Sequence, residues 1–181
     1  MASAFDKQLQ NRNFLSPVGF RFTLARYPKV SFFVNSARLP EINLGTAIQP
    51  SYLKDIDIPG DKLVYGDFNL KFLVDENLEN YMVIHNWLTG LGFPETAQQY
   101  KDLTTNEENI RDPKEAFSDG TLRILNSNYR EIAYVKFKDL FPISISSLEF
   151  ESSETDINYF TADVTFKYTV YNILGKDGDP L

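Results

Sequence analysis

Apolar and polar side chains alternate along several segments of the chain, as they do on half-buried β-strands. The alternation is most regular in residues 160–170. The apolar positions there are Phe160, Ala162, Val164, Phe166, Tyr168 and Val170. The polar positions are Thr161, Asp163, Thr165, Lys167 and Thr169. We predict one long strand from Phe160 to Tyr171, with one face in a core and the other in solvent or a polar channel.

Shorter segments with the same period predict further strands. Residues 18–24 and 68–74 alternate clearly, and Tyr27-Pro28-Lys29 is a turn signal after the first of them. The other predicted strands are residues 30–38, 121–126, 131–138 and 145–150.

One segment has the three- and four-residue spacing of an amphipathic helix. Its predicted apolar face holds Leu78, Tyr81, Met82, His85, Leu88 and Leu91. Asp75 or Asn77 can cap the start, and Gly90 or Gly92 can end the helix. We therefore predict one α-helix over residues 76–91.

Two segments are predicted to leave the body of the domain. Residues 41–66 keep a strand-like rhythm around two prolines, and Pro59-Gly60-Asp61-Lys62 is a strong turn signal, so we expect a protruding hairpin. Residues 95–120 are polar and predict a surface insertion, with a short helical piece near 96–103.

Together these elements predict a mainly β domain, a β-sandwich or small barrel with one flanking α-helix. The length of 181 residues suits one domain. We place the β domain at residues 17–172, after an N-terminal arm at 1–16 and before a C-terminal tail at 173–181.

Composition narrows the possible functions. With 18 basic and 25 acidic side chains the formal net charge is −7, so net charge does not draw the protein to nucleic acid, although a polyanion could slide past it. Cysteine is absent, which excludes disulfides and thiolate metal sites. We expect no membrane segment, because no run of about 20 apolar residues occurs.

Catalytic patterns are weak throughout the sequence. The only histidine, His85, is expected on the apolar helix face, and no Gly-x-Ser-x-Gly elbow accompanies it. We interpret the acidic positions Glu149, Glu151 and Glu154 as a solvent face rather than a catalytic carboxylate pair. Gly90-Leu91-Gly92 closes a helix instead of opening one, which is the wrong polarity for binding phosphate. We expect no enzymatic activity and no cofactor.

An acidic cluster in the predicted hairpin has poor calcium-loop spacing. Asp55, Asp57 and Asp61 lie close together, but Pro59 falls inside the run and no distal Glu follows. We expect no metal site, and interpret the cluster as a solvated loop or a charged contact between subunits.

Several motifs occur in an order that resembles the tail tube proteins of contractile-tailed, T4-like bacteriophages. Residues 55–76 carry Gly60-Asp61-Lys62, then Phe68 and an acidic pair at 75–76, and Trp87 follows on the helix. Before this segment, Ala37-Arg38-Leu39-Pro40 fits the resemblance in the first predicted hairpin, residues 14–39. After it, the fitting motifs are Asp139-Leu140-Phe141-Pro142, Leu148-Glu149-Phe150 and the closing strand 160–171.

The resemblance implies a structural virion protein of a myovirus. Six copies would form a ring, and rings would stack into a tube inside a contractile sheath. DNA would pass through the lumen during ejection without sequence-specific binding. The implied partners are the sheath, baseplate and tape-measure proteins. The implied location is the virion tail, after assembly in the host cytoplasm.

Two residue sets are candidate sites under this resemblance. The candidate contacts between rings or subunits are Tyr52, Lys54, Asp55, Asp57, Asp61, Lys62 and Tyr65. The candidates that face the lumen are Thr161, Asp163, Thr165, Lys167 and Thr169.

Other functions remain open on the sequence alone. The extra terminal residues and the 95–120 insertion are compatible with a ring of the same fold that initiates or terminates the tube. The aromatic residues Tyr52, Tyr65 and Tyr159 would suit a carbohydrate-binding β-sandwich. A hydrolase would have to depend on His85.

Overall fold

The computed structural model describes residues 15, 17–28, 32–105, 112–151 and 159–179. The predicted N-terminal arm therefore lies outside the described residues, apart from Leu15. Within them the chain forms nine strands, two α-helices and one 3-10 helix. The strands are β1 Phe20–Leu24, β2 Phe33–Arg38, β3 Ile42–Gln49, β4 Ile56–Tyr65, β5 Phe68–Leu73, β6 Ser118–Leu125, β7 Glu131–Ile145, β8 Thr161–Lys167 and β9 Val170–Gly175. The helices are α1 Glu79–Gly92, α2 Ala97–Thr104 and the 3-10 helix Pro113–Ala116.

Seven strands form one antiparallel sheet in the order β1-β6-β7-β8-β5-β2, and β9 pairs with β7 outside this path. β1 and β2 lie at the two ends of the path, and an isolated bridge between Phe22 and Phe32 joins them. The sheet is therefore curved enough that its two end strands approach each other. The predicted mainly β class is confirmed.

Phenylalanine rings fill the interior of the curled sheet. Phe68 lies 4.5 Å from Phe137 and 5.4 Å from Phe22 between ring centroids. All three side chains are buried, as are Phe72 and Phe166 on neighbouring strands. The alternating patterns of β5 and β8 supply one face of this core, as their sequences predict.

Helix α1 buries a face that overlaps the predicted apolar face only in part, because Tyr81, Leu88 and Leu91 do pack against the core. It begins at Glu79 instead of residue 76, and its buried residues are Asn80, Ile84, Trp87 and Gly90. Met82 and His85 are exposed. Two polar contacts hold this face inward: Asn80, which is fully buried, donates to the carbonyl of Leu73, and the indole of Trp87 donates to the carbonyl of Ala116 at 2.9 Å.

The segment predicted as a polar insertion contains regular structure. Helix α2 packs on α1, and its buried residue Leu103 lies against Gly90. A Cβ added at Gly90 would lie 3.1 Å from the Leu103 side chain, so the two helices are close at this point. The helical piece near 96–103 is confirmed, and β6 begins at Ser118 within the same segment. Two helices, not one, therefore flank the sheet.

The predicted long closing strand is two strands. β8 ends at Lys167, and β9 begins at Val170 and pairs with the first half of β7. The amide of Thr169 donates to the carbonyl of Lys138 at 3.0 Å, which turns the chain across the sheet. β9 continues to Gly175 and so extends into residues 173–181, which we had predicted as a tail.

Candidate assembly surfaces

The first candidate surface is the hairpin formed by β3 and β4. These strands make a separate two-stranded sheet, and the loop that joins them is residues 50–55. The predicted turn at Pro59-Gly60-Asp61-Lys62 is wrong, because these residues lie within β4.

The residues that carry the turn signal form a bulge in the β3–β4 pair instead. Leu44 pairs with Leu63 and Thr46 pairs with Pro59, so β3 has one residue, Gly45, where β4 has three, residues 60–62. The backbones approach closely there, since a Cβ on Gly60 would lie 2.5 Å from the carbonyl oxygen of Gly45. The glycine is thus needed for close strand approach within a bulged pair.

The hairpin exposes an unusual amount of apolar surface. Every residue of β3 is exposed, and so is most of β4. The large apolar side chains that expose at least 39% of their surface are Ile42, Leu44, Ile48, Tyr52, Leu53, Ile56, Ile58, Leu63 and Val64. Exposed apolar surface on this scale marks a contact site. The alternating pattern predicted the strands here but did not show that both faces are uncovered.

The predicted contact residues are spread along this hairpin. Tyr52 is fully exposed in the loop, where Lys54 and Asp55 are exposed beside it. Asp57, Asp61 and Lys62 are exposed along β4, whereas Tyr65 is half-buried at the other end. Tyr52 and Tyr65 therefore lie at opposite ends of the hairpin. Among the described residues no group of three or more acidic or histidine side chains is arranged to hold a metal ion.

A cluster of tyrosines lies where the hairpin joins the body. The ring of Tyr65 packs 6.2 Å from that of Tyr168 and 5.7 Å from that of Tyr171. The Tyr168 hydroxyl donates to the carbonyl of Gly66, and the Tyr171 hydroxyl donates to the carbonyl of Pro40. The pKa of Tyr168 is raised to about 12, mainly by burial and to a smaller extent by the neighbouring Tyr171, Tyr65 and Asp67. Burial also raises the pKa of Tyr171. No local pattern predicts this cluster, because its members come from β4, from the break after β8 and from β9.

The second candidate surface is the polar face of β8 and β5. Lys167 pairs with Asp67 at 2.5 Å, and Asp163 pairs with Lys71 at 3.6 Å. Between these ion pairs the Thr165 hydroxyl donates to the side chain of Asn69 at 2.9 Å. Thr161 belongs to the same strand, but Thr169 lies in the break before β9. Four of the five predicted lumen positions therefore lie on β8.

The partners on β5 were not selected from the sequence. Asn69 and Lys71 on β5, with Asp67 directly before the strand, complete a face of paired acids and bases. The antiparallel register places Asn69 opposite Thr165 and Lys71 opposite Asp163. The regular alternation of residues 68–74 could have identified Asn69 and Lys71, once β5 was known to lie beside β8.

A family model described as phage tail tube protein matches residues 3–174. The chain belongs to the phage tail tube protein family. The family resemblance carried by the motifs is thereby confirmed. Tail tube proteins are structural components of the phage tail, which agrees with the expectation that this chain is not an enzyme.

Solved structures share the fold of this tail tube family member at low sequence identity. A chain in the structure of the anti-feeding prophage cap, the tube terminating cap, has a TM-score of 0.60 at 14% identity, covering 96% of this chain and 99% of that chain. A chain in the sheath-tube complex of the PVC extracellular contractile injection system has a TM-score of 0.61 at 14% identity, covering 91% and 93%. A chain in the structure of the PVC sheath/tube terminator has a TM-score of 0.61 at 14% identity, covering 91% of this chain and 100% of that chain. No curated protein matches the chain.

No α-helix among the described residues is long and apolar enough to span a membrane.

Proposed function

We propose that this tail tube protein forms hexameric rings that stack into a tube, with the β3–β4 hairpin of one ring seated on the next. The observation that carries the proposal is the hairpin itself, which is attached to the body only at its base and exposes apolar side chains on both strands. A second copy of the same chain is the occupant expected of this surface, because tube subunits repeat. Burial of the exposed apolar side chains would drive the contact.

The lumen is proposed to be lined by the polar face of β8 and β5. In each of the ion pairs Lys167–Asp67 and Asp163–Lys71, the two opposite charges neutralise each other locally. A wall of paired charges and hydroxyls offers DNA few unpaired cations to hold its phosphates. Together with the net charge of −7, this favours passage of DNA without sequence-specific binding.

The proposed surroundings are those of a contractile tail. A sheath would surround the tube, a baseplate would lie at its end, and a tape-measure protein would occupy the lumen before DNA ejection from the virion. Support comes from the shared fold with chains in a sheath-tube complex and in the anti-feeding prophage baseplate, the latter with a TM-score of 0.54. Assembly would take place in the host cytoplasm.

Electron microscopy of purified protein tests the stacking. The hairpin variant Ile48→Ser/Leu53→Ser/Ile56→Ser removes exposed apolar surface, and a matched control, Val18→Ser/Tyr129→Ser, removes exposed apolar surface elsewhere. We expect tubes from the natural chain and the control, but single rings from the hairpin variant. A chain that stays monomeric at every concentration, or a hairpin variant that still makes tubes, would overturn the proposal.

A second candidate function is a ring that ends the tube. It is favoured by the likeness, over 96% of this chain, to a chain in the tube terminating cap structure. The same contacts would then be made by one ring only. Counting copies in intact particles separates the two functions, because a tube protein occurs in many rings and a terminating ring in six copies.

A further inference from the structure

We propose that Tyr168 and Tyr171 are positioning residues that fix the direction in which the β3–β4 hairpin leaves the body, so that the hairpin can reach a neighbouring ring. The inference rests on the proposed stacking function and identifies the residues that prepare the hairpin for it. Neither tyrosine belongs to the exposed contact surface.

The two hydroxyls hold the two chain segments by which the hairpin joins the domain. Tyr171 donates to the carbonyl of Pro40 at 3.2 Å, just before β3 begins. Tyr168 donates to the carbonyl of Gly66 at 2.9 Å, just after β4 ends. The amide of Gly66 donates in turn to the carbonyl of Glu41 at 3.0 Å, which ties the two segments together.

The rings restrict tilting of the hairpin. Tyr65, the last residue of β4, packs edge-on against Tyr168 and Tyr171, whose centroids are 5.9 Å apart. Both of these rings also pack on Phe137, at 5.1 Å and 5.8 Å. Because Phe137 is fully buried, the cluster connects the base of the hairpin to the core of the sheet.

These contacts matter because little else holds the hairpin. β3 and β4 contact each other extensively but make no comparable contact with another described element. A lone two-stranded hairpin is only marginally stable in water. Its orientation therefore depends on the contacts at its base.

The break between β8 and β9 explains how the cluster arises. A single straight strand would place positions 168 and 170 on one face and 171 on the other. Instead the chain turns at residues 168–169 and changes partners within the sheet. Both tyrosines then face the same end of the molecule, where residues 40 and 66 lie.

The test is the double variant Tyr168→Phe/Tyr171→Phe, which retains the rings and removes both hydroxyl donors. Hydrogen exchange in the purified chain, before tubes are allowed to form, reports hairpin motion at the Gly66 amide and in residues 42–65. We expect exchange there to rise about tenfold, an order-of-magnitude value for two lost hydrogen bonds. The melting temperature should stay close to that of the natural chain, whereas tube formation should be lost.

Tyr81→Phe is the matched control, because its hydroxyl also donates to a backbone carbonyl, that of Ser146 at 3.3 Å, away from the hairpin. It should leave both hairpin exchange and tube formation unchanged. Unchanged hairpin exchange in the double variant would overturn the inference, and so would normal tubes from a variant with faster exchange. Failure of the natural chain to form tubes would instead refute the stacking function.

Discussion

Replacing Gly60 with alanine should open the hairpin while the rest of the domain remains folded. The added Cβ would lie 2.5 Å from the carbonyl oxygen of Gly45 and 2.8 Å from its carbonyl carbon. Both are backbone atoms, so the strands must move apart at the bulge to relieve the contact. No side-chain rotation can substitute for that movement.

The size of the effect follows from the overlap and its location. Overpacking of this kind costs about 1–3 kcal/mol, which corresponds to a roughly fivefold to 150-fold increase in the open population of the hairpin. The global free energy of unfolding should change much less, because the hairpin packs on the domain only at its base.

The matched control is Gly45→Ala, on the opposite strand of the same bulge. A Cβ at Gly45 meets only the carbonyl oxygen of Lys62, at 3.8 Å, which is an ordinary van der Waals contact. Hydrogen exchange of residues 42–65 should therefore increase in Gly60→Ala and stay near the natural rate in Gly45→Ala. Electron microscopy should show fewer tubes for Gly60→Ala and natural tubes for Gly45→Ala.

The reasoning about the bulge would be refuted by two results. One is equal exchange in the two alanine variants, which would mean that the close approach of Gly60 to Gly45 does not constrain the strands. The other is a large loss of global stability in Gly60→Ala measured by urea unfolding, which would mean that the hairpin supports the body.

Three further predictions concern the domain itself. Trp87→Phe should lower the free energy of unfolding by about 2–4 kcal/mol in urea titrations followed by circular dichroism, because it leaves a cavity and an unpaired carbonyl at Ala116. Lys167→Gln should change that free energy by about 0–1 kcal/mol, because its ion pair with Asp67 is half-exposed. The pKa of Tyr168 is raised to about 12, so ultraviolet titration should show phenol ionisation that continues to about pH 12, and Tyr168→Phe should reduce its amplitude there.

The pH dependence of stability has a definite sign. Between pH 10 and about 12 the unfolded chain has lost the Tyr168 proton while the folded chain keeps it, so stability falls as pH rises through this window. The fall should be shallower in Tyr168→Phe. Equal slopes in the two chains would contradict this assignment. The Trp87 prediction fails if Trp87→Phe keeps the natural stability, and the Lys167 prediction fails if Lys167→Gln unfolds readily.

The amino-acid pattern alone determined the class of the fold and its central strands. Strict alternation in residues 68–74 and 160–167 predicted one buried and one polar face, because a strand turns successive side chains to opposite sides whatever its neighbours are. The order of the motifs also identified the tail tube family.

Only the tertiary structure decided the details of the candidate surfaces. Pro59-Gly60 has the local chemistry of a turn, but pairing with β3 uses it as a bulge, and the loop lies at residues 50–55. The alternation from 160 to 170 continues through the break between β8 and β9, because Tyr168 still packs on the buried Phe137. Periodicity reports which face of a segment is apolar. Strand partners, bulges and side-chain clusters depend on contacts between residues as far apart as Gly66 and Tyr168, which no local pattern contains.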